Sequence, residues 1–408
     1  MPLVNLPAFA PDLIADLEKL GTERVDTPVI QPAEPFLDMA GEDLRRRIFM
    51  TESETGKSLC LRPEFTIPVC LRHIETATGT PRRYAYLGEV FRQRREGANE
   101  FYQAGIEDLG EPDVAQADAR AVRDALTVLA NRLPGIKLSI VLGDQSVFEA
   151  VVAACGLPTG WQKRLVHAFG NQAQLQKLMA DLSDPAPSGV FGPEVERLAI
   201  LGKLDDEAGL IAHIDETMEA TGYSTNASRS PADIAKRLRE KMELANTRLD
   251  SRTLGLLKEF LALELSLADA PQALAAFADK AGLSLGEALA RFESRVAALR
   301  QAGVDPATIT YRAAFGRPLD YYTGLVFEIE GNALVLAGGG RFDRLLTLLG
   351  AKERIPAVGF SLWLDRIASV KPTAGIRSLA PSSVSNRSKR PPPASTSALP
   401  SISKTRPV

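Results

Sequence analysis

The segment Phe101-Tyr102-Gln103-Ala104-Gly105-Ile106-Glu107 sets an amide, a glycine and a carboxylate at alternate positions. Side chains of a strand alternate between faces with a period of two. Gln103, Gly105 and Glu107 therefore share one face, while Ala104 and Ile106 point into a core. Gly105 leaves room above the sheet between the amide and the carboxylate. Such a surface suits a small polar ligand. A carboxylate holds a cationic amine or an imidazole N–H, and an amide fixes orientation by hydrogen bonds. Taken alone, the segment also reads as a solvent-facing strand with ordinary polar residues. Three more segments put polar groups on strand-like backbone: Leu61-Arg62-Pro63-Glu64-Phe65-Thr66, Phe91-Arg92-Gln93-Arg94-Arg95-Glu96 and Gly316-Arg317-Pro318-Leu319-Asp320-Tyr321-Tyr322.

The elements that must position these groups are legible in outline. Leu13, Ile14, Leu17 and Leu20 recur at helical spacing, which predicts a helix over 8–20. Two prolines make Thr27–Pro32 extended. Residues 45–75 read as a hairpin followed by a helix, and 83–110 as two strands around a charged loop. An amphipathic helix is predicted over 115–133, with Val122, Ala125, Leu126, Leu129 and Leu133 on one face. Strand patterns return over 308–342, and short helices are predicted over 343–349 and 361–370. Mixed, mostly antiparallel strands with interspersed helices define an α+β class. The expected organisation is a first core part over 1–135, a mostly helical insertion over 136–305, a second core part over 306–371 and a tail over 372–408. The tail holds seven Pro and nine Ser, so it is expected to be disordered.

Composition excludes several classes. The chain has 408 residues, 45% of them hydrophobic, and a formal net charge of −3. Six of its 48 Lys and Arg, and none of its 51 Asp and Glu, lie in 372–408, so the body carries −9. No run of 18 apolar residues predicts a membrane span, and no secretory signal is visible. Cys60, Cys70 and Cys155 have no paired spacing, which points to a reducing cytoplasm. His73, His167 and His213 form no metal-like cluster, so neither metal nor cofactor is expected.

Taken together, the four segments resemble the catalytic core of class II aminoacyl-tRNA synthetases, and histidyl-tRNA synthetase in particular. Leu61–Thr66 is similar to an LRPEGT segment, Phe91-Arg92 to the opening of motif 2, and Gly316–Tyr322 to an RGLDYY signature. Gly339–Asp343, Ala357–Phe360 and Asp365-Arg366 resemble the stretch containing motif 3. The match runs over roughly residues 8–370. The resemblance implies a six- to seven-stranded antiparallel sheet and a self-dimer formed near Thr27–Pro35. It also implies a histidine pocket built from Glu64, Thr66, Arg92, Gln103, Glu107, Arg317, Tyr321 and Tyr322. There Glu64 and Thr66 would meet the amine, Glu107 and Tyr322 the imidazole, and Arg92 and Arg317 the carboxylate.

Departures from that pattern shift the expectation. Arg94 stands where a glutamate orients adenine, and Trp363 where a glycine leaves space for the nucleotide. Pro318 replaces a glycine and Phe342 a tyrosine, while Arg366 is retained. The expected tail starts straight after the motif 3 stretch, so no anticodon-binding domain is expected there, and an acidic body offers no evident tRNA surface. A kept histidine pocket with an altered ATP side resembles the synthetase-like regulatory subunits of ATP phosphoribosyltransferase. That resemblance implies a non-catalytic chain in a hetero-octamer with the short-form ATP phosphoribosyltransferase catalytic subunit. It further implies feedback by histidine, and no tRNA or membrane partner. The competing expectation is a truncated synthetase that still activates histidine with ATP.

Overall fold

The structure, a computed structural model, describes residues 5–39, 44–183, 206–221, 230–317 and 319–370. Pro318 and the 372–408 tail lie outside the described residues. Residues up to Val370 form a single unit. Its strands are β1 (Glu23–Arg24), β2 (Ile30–Pro32), β3 (Met50–Glu52), β4 (Ser58–Leu61), β5 (Arg82–Phe91), β6 (Glu100–Leu109), β7 (Leu138–Asp144), β8 (Glu264–Ser266), β9 (Ile309–Arg312), β10 (Leu325–Gly331), β11 (Leu334–Arg341) and β12 (Ala357–Trp363). The helices used below are α1 (Ala10–Glu18), α2 (Thr66–Glu75), α3 (Val114–Arg132), α4 (Gln145–Ala154), α5 (Thr159–His167), α6 (Gln172–Ser183), α7 (Ser251–Leu261), α8 (Gly286–Gln301) and α9 (Leu364–Val370).

Nine strands form the main sheet, in the order β1-β5-β6-β12-β11-β10-β7-β9-β8. The inner six, β5 to β7, pair antiparallel throughout. The sheet is thus wider than the six to seven strands expected, and it is not wholly antiparallel. Short strands extend both edges, and β1 on β5 and β9 on β7 are parallel. β1 and β8, of two and three residues, are too short to show an alternation pattern, which is why they escape sequence reading, while β9 falls in the stretch where strands were expected. Between β10 and β11, Asn332 and Ala333 both take left-handed φ (50° and 60°), the geometry of a two-residue hairpin turn.

Alternation along β12 explains the two faces. Val358, Phe360 and Leu362 join the core shared with α1, α3 and α8, while Gly359, Ser361 and Trp363 face the other way. Ser361–Trp363 were expected in a helix. They instead continue β12, because they pair with Gln103–Gly105 of β6, and the helix starts only at Leu364. The predicted helix over 343–349 shrinks to Leu345–Leu348. Within 136–305, β7 and β8 join the sheet, and α8 packs on α3.

A buried chain of alternating charges fixes the sheet to those two helices. Arg295 of α8 donates to Asp118 of α3 (2.6 Å) and to Asp144 at the end of β7. Arg341 donates to the other Asp118 oxygen (2.7 Å) and to Asp343 (2.7 Å). Asp144 also caps α4 by accepting from Ser146 N–H (2.9 Å).

The loop between β9 and β10 carries Arg317 to Tyr322. Gly170, just after α5, presses against it: a Cβ there would sit 2.7 Å from both Gly316 C and Arg317 N. Gly170 also has φ +93°, so both space and backbone demand glycine. His167 Nδ1 lies 3.2 Å from Asp320 in the same contact.

Candidate functional site

The open face of the sheet holds a small cavity of about 90 Å³. Seven of the eight expected residues line it: Glu64, Thr66, Arg92, Gln103, Arg317, Tyr321 and Tyr322. The eighth, Glu107, lies directly beneath, where its Oε1 accepts the Thr66 hydroxyl (2.8 Å). Four separate segments therefore converge as the sequence anticipated. The volume is far below the roughly 300–1,000 Å³ typical of drug-sized sites, which favours a small ligand.

Each side chain is held by its local structure. Glu64 precedes α2, and its oxygens accept from Thr66 N–H (2.8 Å) and Ile67 N–H (2.9 Å). It therefore caps the helix, a role the expectation of an amine contact did not include. Burial still raises its pKa despite those bonds. Arg92, at the end of β5, donates Nε to Pro63 O (2.7 Å), and burial pulls its pKa down to about 10. Arg317 Nη1 donates to Tyr322 Oη (3.2 Å), and Tyr321 Oη donates to Glu64 (3.4 Å).

Two acceptors are left over. Gln103 Oε1 and Glu107 Oε2 are buried, with no hydrogen-bond partner among the described residues. Burial drives the Glu107 pKa well above the usual carboxylate range, and the neighbouring Glu64 adds to the rise. Unmatched buried acceptors are costly, on the order of 1–3 kcal/mol each, and this pair can accept from the N–H groups of a ligand. Glycine is required opposite: Gly359 faces Glu107 in register, and a Cβ there would lie 1.7 Å from Glu107 Oε2.

One expectation fails. The space above Gly105 is not open, because Tyr86 fills it. Tyr86 is the cross-strand partner of Gly105, and a Cβ at 105 would come within 2.4 Å of its hydroxyl. That hydroxyl shares a 2.8 Å hydrogen bond with Ser361 Oγ. The glycine makes room for a tyrosine, not for the ligand. Only the strand register reveals this, so no sequence signal announces Tyr86. Arg47, another wall residue that was not anticipated, belongs to the run Arg45-Arg46-Arg47, whose charge density was a usable signal.

The far wall is Trp363. Two guanidinium groups lie over its ring, with Arg366 4.7 Å and Arg317 5.5 Å from its centroid. The Arg94 guanidinium lies over the Phe101 ring, 3.8 Å from its centroid. The Phe342 ring packs edge-on against Tyr321. Carboxyl groups at the floor offer acceptors and arginines at the mouth offer positive charge, a match for the N–H groups and the carboxylate of an amino acid.

Comparison with known proteins identifies the family and the fold. The histidyl-tRNA synthetase family model matches residues 8–224 and 212–367. The chain is 76% identical over 369 residues to the ATP phosphoribosyltransferase regulatory subunit of Rhizobium meliloti (strain 1021), covering 90% of this chain and 97% of that protein. It is 74% identical over 377 residues to the regulatory subunit of Sinorhizobium fredii (strain NBRC 101917 / NGR234), covering 92% and 100%. Among solved structures, an ATP phosphoribosyltransferase regulatory subunit/histidyl-tRNA synthetase from Bacillus halodurans C has the same fold, with TM-score 0.60, 20% identity, and 91% and 82% of the two chains covered. Histidyl-tRNA synthetase from Nostoc sp. PCC 7120 gives TM-score 0.57 at 16% identity, covering 90% and 75%. The chain therefore belongs to the ATP phosphoribosyltransferase regulatory subunit family and carries the histidyl-tRNA synthetase fold.

Proposed function

We propose that this chain is a non-catalytic subunit that senses free histidine and regulates ATP phosphoribosyltransferase, at the first step of histidine biosynthesis. The observation that carries the reading is the pair of unmatched acceptors, Gln103 Oε1 and Glu107 Oε2, below a mouth lined by Arg92 and Arg317. An imidazole N–H and an α-amine supply the donors, and the α-carboxylate meets the arginines. Histidine can alter catalysis on a partner only by binding two states of the assembly unequally. The partner in this reading is the short-form catalytic subunit in a hetero-octamer. Exposed Ile30 and Met50 on the small β2-β4-β3 sheet, with exposed Val29 just before β2, support self-association near Thr27–Pro35.

Isothermal titration calorimetry tests the sensor. Histidine should bind the wild-type chain, and Glu107→Ala should weaken it on the order of 100-fold, about 2.7 kcal/mol. Undiminished affinity in the variant refutes the assignment. The second reading, histidine activation with ATP, is favoured by the retained Arg366 and opposed by the Trp363 ring stacked beneath it. Histidine-dependent exchange of pyrophosphate into ATP separates the two, and none is expected.

A further inference from the structure

Arg317, which in the proposed reading meets the ligand's carboxylate, already faces a carboxyl group of its own chain. Its Nε lies 3.3 Å from Glu328 Oε1, close enough for an ion pair but without the alignment of a hydrogen bond. Among the described residues, Glu328 forms an ion pair with Arg317 alone. Glu328 belongs to β10 and does not line the cavity, so it acts there only through Arg317.

The sheet fixes this arrangement. Glu328 is the cross-strand partner of Gly338 on β11, and Gly338 that of Ser361 on β12. Residues opposite one another in a sheet project from the same face. A Cβ on Gly338 would sit 2.7 Å from Arg317 Cζ and Nη1, so the guanidinium rests against bare backbone. Arg317 Nη1 donates to Tyr322 Oη (3.2 Å), and the Trp363 centroid lies 5.5 Å from Cζ. Backbone, tyrosine and tryptophan thus hold the group in place without any help from a second charge. What Glu328 adds is a negative charge at one edge of the guanidinium. Burial raises the Glu328 pKa, and Arg317 opposes the rise.

A ligand carboxylate on the cavity side of Arg317 would stand across the guanidinium from Glu328. Each carboxylate attracts the arginine, and the two repel each other. We propose that Glu328 is a resident counter-ion that shares Arg317 with the ligand's carboxylate and thereby holds the affinity for histidine below what the cavity alone would give. The proposal rests on the histidine-sensing reading and adds to it a residue that sets the concentration at which the sensor responds.

Calorimetry at pH 8 and low salt tests it, with histidine and with histamine, which keeps the imidazole and the amine but lacks the carboxylate. Glu328→Gln keeps the shape and an acceptor and removes the charge. It should bind histidine roughly tenfold tighter than wild type, and the gain should shrink in high salt. Histamine should show no gain, a distinction that a merely structural role would not produce. Glu328→Asp keeps the charge and should stay close to wild type. Glu328→Ala carries the same test if the glutamine variant does not fold. Unchanged or weaker histidine binding by Glu328→Gln overturns the proposal, because Glu328 then at most places Arg317. An equal gain for histamine overturns it as well, because the effect then does not run through the carboxylate. A wild-type chain that does not bind histidine overturns the sensing reading itself.

Discussion

Two buried charge clusters on opposite faces of one sheet are built by opposite rules. On the helix-covered face, Asp144, Arg295, Asp118, Arg341 and Asp343 alternate in sign, and each meets its neighbour. On the other face, Glu107 and Gln103 keep an acceptor each without a partner. The first cluster is closed and holds elements together. The second is open, and in the proposed reading a ligand supplies its donors. Burial alone does not distinguish structure from function here: Asp118 is 0% exposed and Glu107 1%. The count of satisfied hydrogen bonds does.

The comparison can be broken most forcefully from the closed side. Replacing Arg295 by Met leaves Asp118 and Asp144 buried beside one charge fewer. Such a loss costs about 3–5 kcal/mol, and urea unfolding should register it. On the open side, Glu107→Ala should abolish most histidine binding, yet a conservative change should not harm the fold. The Glu107 proton is held well above its ordinary range by burial. That contribution to stability is complete below the unfolded carboxyl value, about 4.3, and is lost as pH rises through the raised folded value. Glu107→Gln carries no charge to bury. Its unfolding free energy should therefore match wild type near pH 4 and exceed it increasingly toward pH 8. The opposite trend would show that Glu107 is paired like its counterparts across the sheet. A smaller effect is expected from Gly359→Ala. The added methyl group meets Glu107 Oε2 and Ile106 O, costing about 1–3 kcal/mol of stability along with histidine affinity.

The open cluster was more legible in the sequence than the closed one. Period-two alternation put Gln103 and Glu107 on one face, and the resemblance supplied Glu64, Arg92, Arg317 and Tyr322. The closed chain joins residues 118, 144, 295 and 341, which no local pattern relates, so only tertiary structure reveals it. The same limit hid Tyr86 above Gly105, because cross-strand register is not written in either strand alone. Ser361-Leu362-Trp363 read as helix since short apolar runs fit both periods. Glu64 was read as a ligand contact and is found to cap α2, a role visible only once Thr66 and Ile67 present their N–H groups.

The contact of Gly170 with Gly316 and Arg317 has a consequence in time rather than in space. Backbone lies against backbone there, with no side chain between them to yield. The Arg317–Tyr322 loop and the corner between α5 and α6 therefore pack as one surface, which the His167–Asp320 contact also joins. Amides of the two segments should exchange with deuterium as one cooperative unit, and a ligand that quiets the loop should slow the corner by the same factor.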